Sequence, residues 1–341
     1  MEYSKPWLSI EDQIAQLLDR GVAMPDHDAA VRVLREVGYY RLTGYLHPFR
    51  RSVTVLPADP RRRRILGDDY RPGTTLSHAE SLLCFDRALR LLVIEGVERI
   101  EVAFRTQLAH TLGRISPFAH EDPATFTTAF TDARPTAEES GSSQHHEWLE
   151  RVRARQQHSD EAFVAHFRER YDGRMPIWAL TEVLELGHVS RLYGGLRNDI
   201  ATEIANQFGV PTKKLMQSWL ASVNYVRNVS AHHARLFNRK LVVAPKRPKR
   251  SELVLLEHLT DAGTPKQFGV YNALAVMAYL LRSVPSDDGW APRAAAMMRD
   301  FPSSEVADVR SMGAVPRWLD EPLWQVTRSF AATPSTNTVE P

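Results

Sequence analysis

SHAESLLCFDRALRLLVIEGVERIEVAFRTQLAHTL, residues 77–112, decides the fold class. Leu82, Leu83, Phe85, Leu89, Leu92, Val93, Val97, Ile100 and Phe104 recur at helical intervals, as in a helix with one buried face. The repeat lasts about ten turns. It predicts one long helix, or two abutting ones, as a main wall of the core, with Glu95, Glu98, Glu101 and Arg99 making one side charged. Cys84 lies inside the apolar run and is expected to be a buried thiol. As the single cysteine of the chain it excludes an intrachain disulfide and a thiolate zinc site.

Towards the N-terminus, Ser9 and Asp12 are placed to cap a helix carrying Ile10, Ile14, Leu17 and Leu18, stopped by Gly21. A second helix spans 28–37 and ends at Gly38. In residues 39–51, Tyr39, Tyr40, Tyr45 and Phe49 alternate with Arg41, His47, Arg50 and Arg51, a mixture that suits stacking on bases and gripping phosphates and equally a packed helical corner. Residues 53–74 hold three prolines, two glycines and the run Arg61, Arg62, Arg63, Arg64. They read as a loop whose arginines form either a solvated face or a phosphate clamp.

Towards the C-terminus, residues 115–146 read as an irregular excursion and 147–171 as one charged helix. His145, His146, His158 and His166 fall around it, without the i, i+4 pair and third ligand that a metal site needs, so no metal is expected. Pro176 starts an apolar helix through Trp178, Leu180, Val183, Leu184 and Leu186, broken at Gly187 and again at Gly194 and Gly195. A short helix from Asn198 to Phe208 precedes one opened by Pro211, with Thr212 or a neighbour as its cap. Residues 242–250, VVAPKRPKR, read as a basic linker able to track a phosphate backbone. A further apolar helix covers 272–281, and from about Thr333 the composition predicts a disordered tail.

The helix after Pro211 carries LMQSWLASVNYVRNVSAHHARLFNRK, residues 215–240. Leu215, Trp219, Val223 and Val226 form its buried stripe, and Arg227, Asn228, His232, His233, Arg235, Asn238 and Arg239 follow. Arginine forks two donors onto phosphate oxygens and stays charged, while histidine exchanges protons near neutrality. RNA carries its own nucleophile, the 2′-OH, so this pair can cleave it without a metal. Spacing alone is not diagnostic, since the chain holds three Arg-x4-His matches: Arg105 to His110, Arg153 to His158 and Arg227 to His232.

Context singles out the third. The string Y-x-R-N-x-x-A-H-H-x-R-L-F-N-R (Tyr225 to Arg239) resembles the signature of the Abi-like abortive-infection family (AbiD/AbiF type). Residues 37–50, VGYYRLTGYLHPFR, are similar to the family's opening motif, and residues 176–193, PIWALTEVLELGHVSRLY, to a central one. The resemblance runs in order over roughly residues 5–245. Phe237 and Leu186 stand where a larger or more aromatic residue is expected, a departure that bears on packing. Members of the family look like HEPN-superfamily ribonucleases with an R-N-x-x-x-H motif. The resemblance therefore implies an all-α, HEPN-like helical bundle with an N-terminal helical extension, and Arg227, Asn228 and His232 as catalytic residues. It also implies a homodimer that pairs two motifs. Tyr225, His233, Arg235 and Asn238 are second choices for lining the site. Arg105 and His110 are not marked by the resemblance and are read as structural.

Of the 341 residues, 43% are hydrophobic and 25% charged, with a net charge of +2. That is enough for one large or two modest cores, and nucleic-acid contact must come from local patches. Mean hydropathy is negative, no apolar run approaches membrane-spanning length and no signal-like start is present, which predicts a soluble cytoplasmic protein without membrane contact. The expected organisation is an N-terminal aromatic-basic segment with its Arg-rich loop (1–75), a helical core (76–245), a C-terminal helical extension (246–332) and a tail (333–341).

The expected activity is metal-independent endoribonucleolytic cleavage in phage defence or a toxin-like system. No cofactor is implied. RNA is the expected substrate and a regulatory RNA a further partner, with Arg41, Arg50, Arg61–Arg64, Lys246, Arg247, Lys249 and Arg250 as contacts. Two other readings remain open: a non-catalytic helical dimer that binds RNA or protein, and a nucleotide-modifying relative, for which no Gly-rich phosphate loop is present. Residues five apart on a helix are turned about 140° from one another. Either the helix breaks between Arg227 and His232, or a second copy completes the site.

Overall fold

The Ser9 hydroxyl accepts the Asp12 amide at 3.1 Å and donates to the Asp12 carboxylate at 2.7 Å, the predicted capping box of α1 (Ile10–Asp19). Asp26 caps α2 (His27–Val37). At Gly38, φ is +80°, a region open to glycine, and the chain turns directly into α3 (Tyr39–Leu46). The structure is a computed structural model and describes residues 6–53, 65–133, 141–260, 269–285 and 289–325.

Two short strands, β1 (Arg50–Val53) and β2 (Ile65–Tyr70), pair antiparallel with Arg50 opposite Tyr70 and a bulge before Ser52. They correct the expected loop over 53–74. Tertiary hydrogen bonds fix them: the Tyr70 amide donates to the Arg20 carbonyl and the Arg71 amide to that of Phe49.

The predicted wall is one unbroken 40-residue helix, α4 (Leu76–Ile115). Its buried residues include Leu82, Phe85, Leu89, Val93, Val97, Ile100 and Phe104. Cys84, expected inside, is exposed: it falls between the inward positions 82 and 85, where the helix turns out to solvent.

Beyond α4, a short α5 (Thr128–Thr131) lies in the irregular stretch. The charged segment forms two helices, α6 (Gln144–Gln157) and α7 (Ala162–Tyr171), instead of the single one expected. The apolar stretch divides into α8 (Ile177–Val183) and α9 (Leu186–Gly195). The break falls at Leu184 and Glu185, not at Gly187. Gly187 lies inside α9, where a Cβ would stand 3.6 Å from the Asn224 amide.

α10 (Asn198–Asn206) leads to α11 (Lys213–Ala231), capped by the Thr212 hydroxyl, which accepts the Leu215 amide at 3.2 Å. α12 (Val270–Leu281) is buried on nearly every side, and α13 (Trp290–Arg299) follows. Elements α3, α8, α9, α10, α11, α12 and α13 all pack on α4. The buried apolar side chains form one cluster, reaching from Ile14 to Trp324.

The protein is thus mostly helical, as expected, with one small sheet. No helix among the described residues is long and apolar enough to cross a membrane. The tail expected at 333–341 lies outside the described residues.

Candidate functional site

α11 is held inward by Leu215, Met216, Trp219, Leu220, Val223 and Val226, and the Trp219 indole donates to the Lys246 carbonyl at 2.9 Å. The polar signature occupies its last turn and the residues beyond. The helix does not break between Arg227 and His232: the His232 amide donates to the Asn228 carbonyl at 3.0 Å. The turn of about 140° between the two side chains therefore stands.

The end of α11 is a Schellman motif. Ala234 N–H reaches the Val229 carbonyl and His233 N–H that of Ser230, both at 3.0 Å. His233 occupies the left-handed position with φ +56°, where glycine is the usual residue. Both His232 and His233 are exposed, and their imidazoles make no hydrogen bond to another described residue.

Arg227 is half-buried and lines a groove of about 380 Å³ against α4, beside Ile94, Glu98, Glu101, Val102 and Arg105. Asn228 accepts a hydrogen bond from Arg227 Nη1 at 3.1 Å. It opens on a different groove, of about 260 Å³, between α6, α9 and α11, lined by Trp148, Arg151, Glu185, His188, Arg191 and Asn224. Burial pushes the His188 imidazole below its ordinary pKa, with Arg155 and Arg151 adding to the effect and Glu185 opposing it.

Of the second-choice residues, Arg235 and Tyr225 are occupied in holding the helix end. Arg235 donates to the Gly44 carbonyl of α3. Arg239 donates to the Arg235 carbonyl at 2.9 Å and to the Tyr225 hydroxyl at 3.4 Å. Asn238 keeps a buried side-chain oxygen without a partner. Arg41 donates to the His233 carbonyl at 2.7 Å.

At the centre of this clamp is Asp86, fully buried on α4. One carboxylate oxygen accepts the Leu236 and Phe237 amides at 2.9 and 2.7 Å. The other accepts the Tyr45 hydroxyl at 2.7 Å and the Arg90 guanidinium. Burial, with the Asp86 charge beside it, pushes the Tyr45 hydroxyl up to about 12. An aspartate in phase with Leu82 and Leu89 was the sequence signal for this hub.

Arg105 donates to Glu101 and to the Leu184 carbonyl while also lining the Arg227 groove, and His110 is exposed. Of the basic residues read as RNA contacts, Arg50 stands 3.7 Å from Asp68 and Arg250 3.8 Å from Glu257. Lys246 and Lys249 are exposed and Arg247 is half-buried, while Arg61–Arg64 lie outside the described residues. Sequence reasoning missed His188, Arg191 and Asn224. Asn224 lies one turn before Asn228, and that spacing was the available signal. Among the described residues no three His, Cys, Asp or Glu side chains gather as a metal ion would require.

Comparison with known proteins agrees with these motifs. No curated protein and no solved structure matches the chain. A family model described as Abi-like protein matches residues 32–238, from within α2 to the residues just beyond the α11 cap. That span covers more than half of the sequence and contains Asp86 with its partners Tyr45, Arg90, Leu236 and Phe237, and the chain belongs to the Abi-like protein family.

Proposed function

We propose that the protein is a metal-independent endoribonuclease of the HEPN type, acting in abortive infection or a toxin-like system, with its site completed across a homodimer. The observation that carries this reading is the end of α11. Arg227 and His232 leave an unbroken helix in different directions while both remain accessible. One chain then presents half of a site, and a two-fold partner supplies the rest.

In the paired site, one His232 takes the proton of the 2′-OH as that oxygen attacks phosphorus. The other gives a proton to the departing 5′-oxygen. The Arg227 guanidiniums stabilise the charge growing on the phosphoryl oxygens, and Asn228 orients Arg227 through the bond described above. The products are a 2′,3′-cyclic phosphate, opening later to a 3′-phosphate, and a 5′-hydroxyl. The basic side chains at Arg41, Arg50, Lys246, Arg247, Lys249 and Arg250 are assigned to the RNA backbone, whether substrate or regulatory RNA.

Cleavage of single-stranded RNA in EDTA tests the chemistry, and mixing Arg227→Ala with His232→Ala tests the shared site. Each variant alone is expected to be inactive. The mixture regains a small part of the wild-type rate, because a mixed dimer holds one arginine and one histidine and leaves water to replace the second proton-transfer group. A full wild-type rate from His232→Ala alone, or a strict monomer by light scattering, overturns the proposal. One observation favours a second reading, a helical dimer that binds without turnover: Glu98 and Glu101 share the Arg227 groove and oppose a phosphate there. That reading predicts RNA or protein binding with no cleavage products.

A further inference from the structure

We infer that a cleft at the N-terminal end of the protein, between α1, α3 and the small sheet, binds an unpaired RNA nucleotide by stacking it between exposed aromatic side chains. The cleft has a volume of about 810 Å³ and is lined by Trp7, Arg20, Tyr39, Tyr40, Arg50 and Asp68, among others. Trp7 is 86% exposed and Tyr40 78%. A single exposed aromatic is ordinary. Two that converge on one concave surface, leaving apolar faces in water, mark a binding site.

The setting specifies the ligand. The Tyr39 hydroxyl is fixed, accepting from Arg20 at 3.2 Å and donating to Gln16 at 2.7 Å. Its ring meets Tyr40 edge-to-face at 6.0 Å, which props the Tyr40 ring and leaves a face free. Arg20 and Arg50 share one carboxylate, Asp68, at 3.9 and 3.7 Å. The Arg50 Nε is buried without a partner. Two guanidiniums against one acid leave a net positive charge beside the aromatic faces. A base with its phosphate offers the matching pair of a π-face and an anion. A base inside a duplex does not, because its faces are already stacked.

Position links the cleft to the helix end. Tyr40 is followed by Arg41, whose guanidinium holds the His233 carbonyl at 2.7 Å. A strand anchored at Tyr40 therefore lies on the same element that braces the signature. The choice of RNA over other ligands rests on the ribonuclease reading, whereas the stacking geometry does not.

The test is fluorescence anisotropy of a short labelled oligouridylate, single-stranded or annealed to its complement, with the full-length His232→Ala protein so that no turnover intervenes. Trp7→Ala and Tyr40→Ala are each expected to weaken single-strand binding roughly 5- to 100-fold, the range of one base-aromatic stack, and to leave duplex binding unchanged. Trp7→Phe and Tyr40→Phe keep most of the affinity, since the ring and not a polar group is what binds. Both wild-type residues are solvent-facing, and a melting curve confirms that each variant is folded. Unchanged single-strand affinity in both alanine variants, as expected if the cleft holds a protein segment instead, overturns the inference. An equal loss for duplex and single strand does the same. If wild-type protein never cleaves RNA but the alanine variants lose single-strand binding, the cleft stands and the ribonuclease reading falls. Cleavage with unaltered binding gives the reverse.

Discussion

Replacing Asp86 with alanine is expected to cost about 4 kcal/mol, because it leaves a buried cation uncompensated. The carboxylate is fully buried and Arg90 is 7% exposed. Breaking such a pair by removing one partner costs roughly 3–5 kcal/mol. The Leu236 and Phe237 amides also lose their acceptor, at about 1 kcal/mol each, and water entering the vacated space returns part of that. Asp86→Asn keeps an oxygen for the two amides and loses the charge, so its cost is about 2–3 kcal/mol. Tyr45→Phe removes one hydroxyl from a carboxylate that keeps three donors, at about 1 kcal/mol. Urea unfolding followed by circular dichroism gives the three values from the shift in midpoint at constant slope. Domains are commonly stable by only about 5–15 kcal/mol, so Asp86→Ala should remain folded but close to its limit. The reasoning fails if Asp86→Ala costs less than Tyr45→Phe, or if Asp86→Asn is neutral.

His233→Gly is expected to stabilise the protein by about 0.5–1 kcal/mol, because it removes the left-handed strain at the α11 cap; calorimetry reads this as a higher melting temperature. Gly96→Ala places a Cβ 2.7 Å from the Trp290 ring and should destabilise by about 1–3 kcal/mol, visible in the same urea titration. His120 is buried, and desolvation lowers its imidazole to about 4 from the ordinary 6.5. The unfolded chain therefore binds the proton first as pH falls. Stability is complete above about pH 6.5, declines through the window down to about 4, and at pH 5 should be lower by about 2 kcal/mol. His120→Leu should flatten that part of the stability-against-pH curve, and an unchanged slope would count against the assignment.

The local order of the protein was legible wherever periodicity or a cap carried it. Ser9 with Asp12, Thr212 before α11, and the Leu82-to-Phe104 stripe each encode a local geometry that tertiary contacts only reinforce. What was not legible depends on partners distant in sequence. The β1–β2 pair has no alternating pattern and is held by the Arg20 and Phe49 carbonyls. Gly187 reads as a breaker, yet it lies within α9, whose start is set by the extended residues Leu184 and Glu185 before it. At the candidate site, the identity of Arg227, Asn228 and His232 was readable from the motif. Their divergence around the helix followed from arithmetic, but the choice between a broken helix and an intact one needed the hydrogen bonds at 228–232. Arg235 reads as a site-lining residue because its acceptor, the main-chain carbonyl of Gly44, leaves no mark in side-chain chemistry.

The 40 residues of α4 make a rod of about 60 Å, and α3 and the helices from α8 to α13 lean on it. A beam that carries both the first and last parts of the chain ties their fates together. Truncating the C-terminal segment would bare the flank of α4 that Trp290 covers, and pulling away α3 would bare the flank around Asp86. Amide protons at the middle of α4 should thus be among the slowest to exchange, and damage at either end of the polypeptide should be felt at the other.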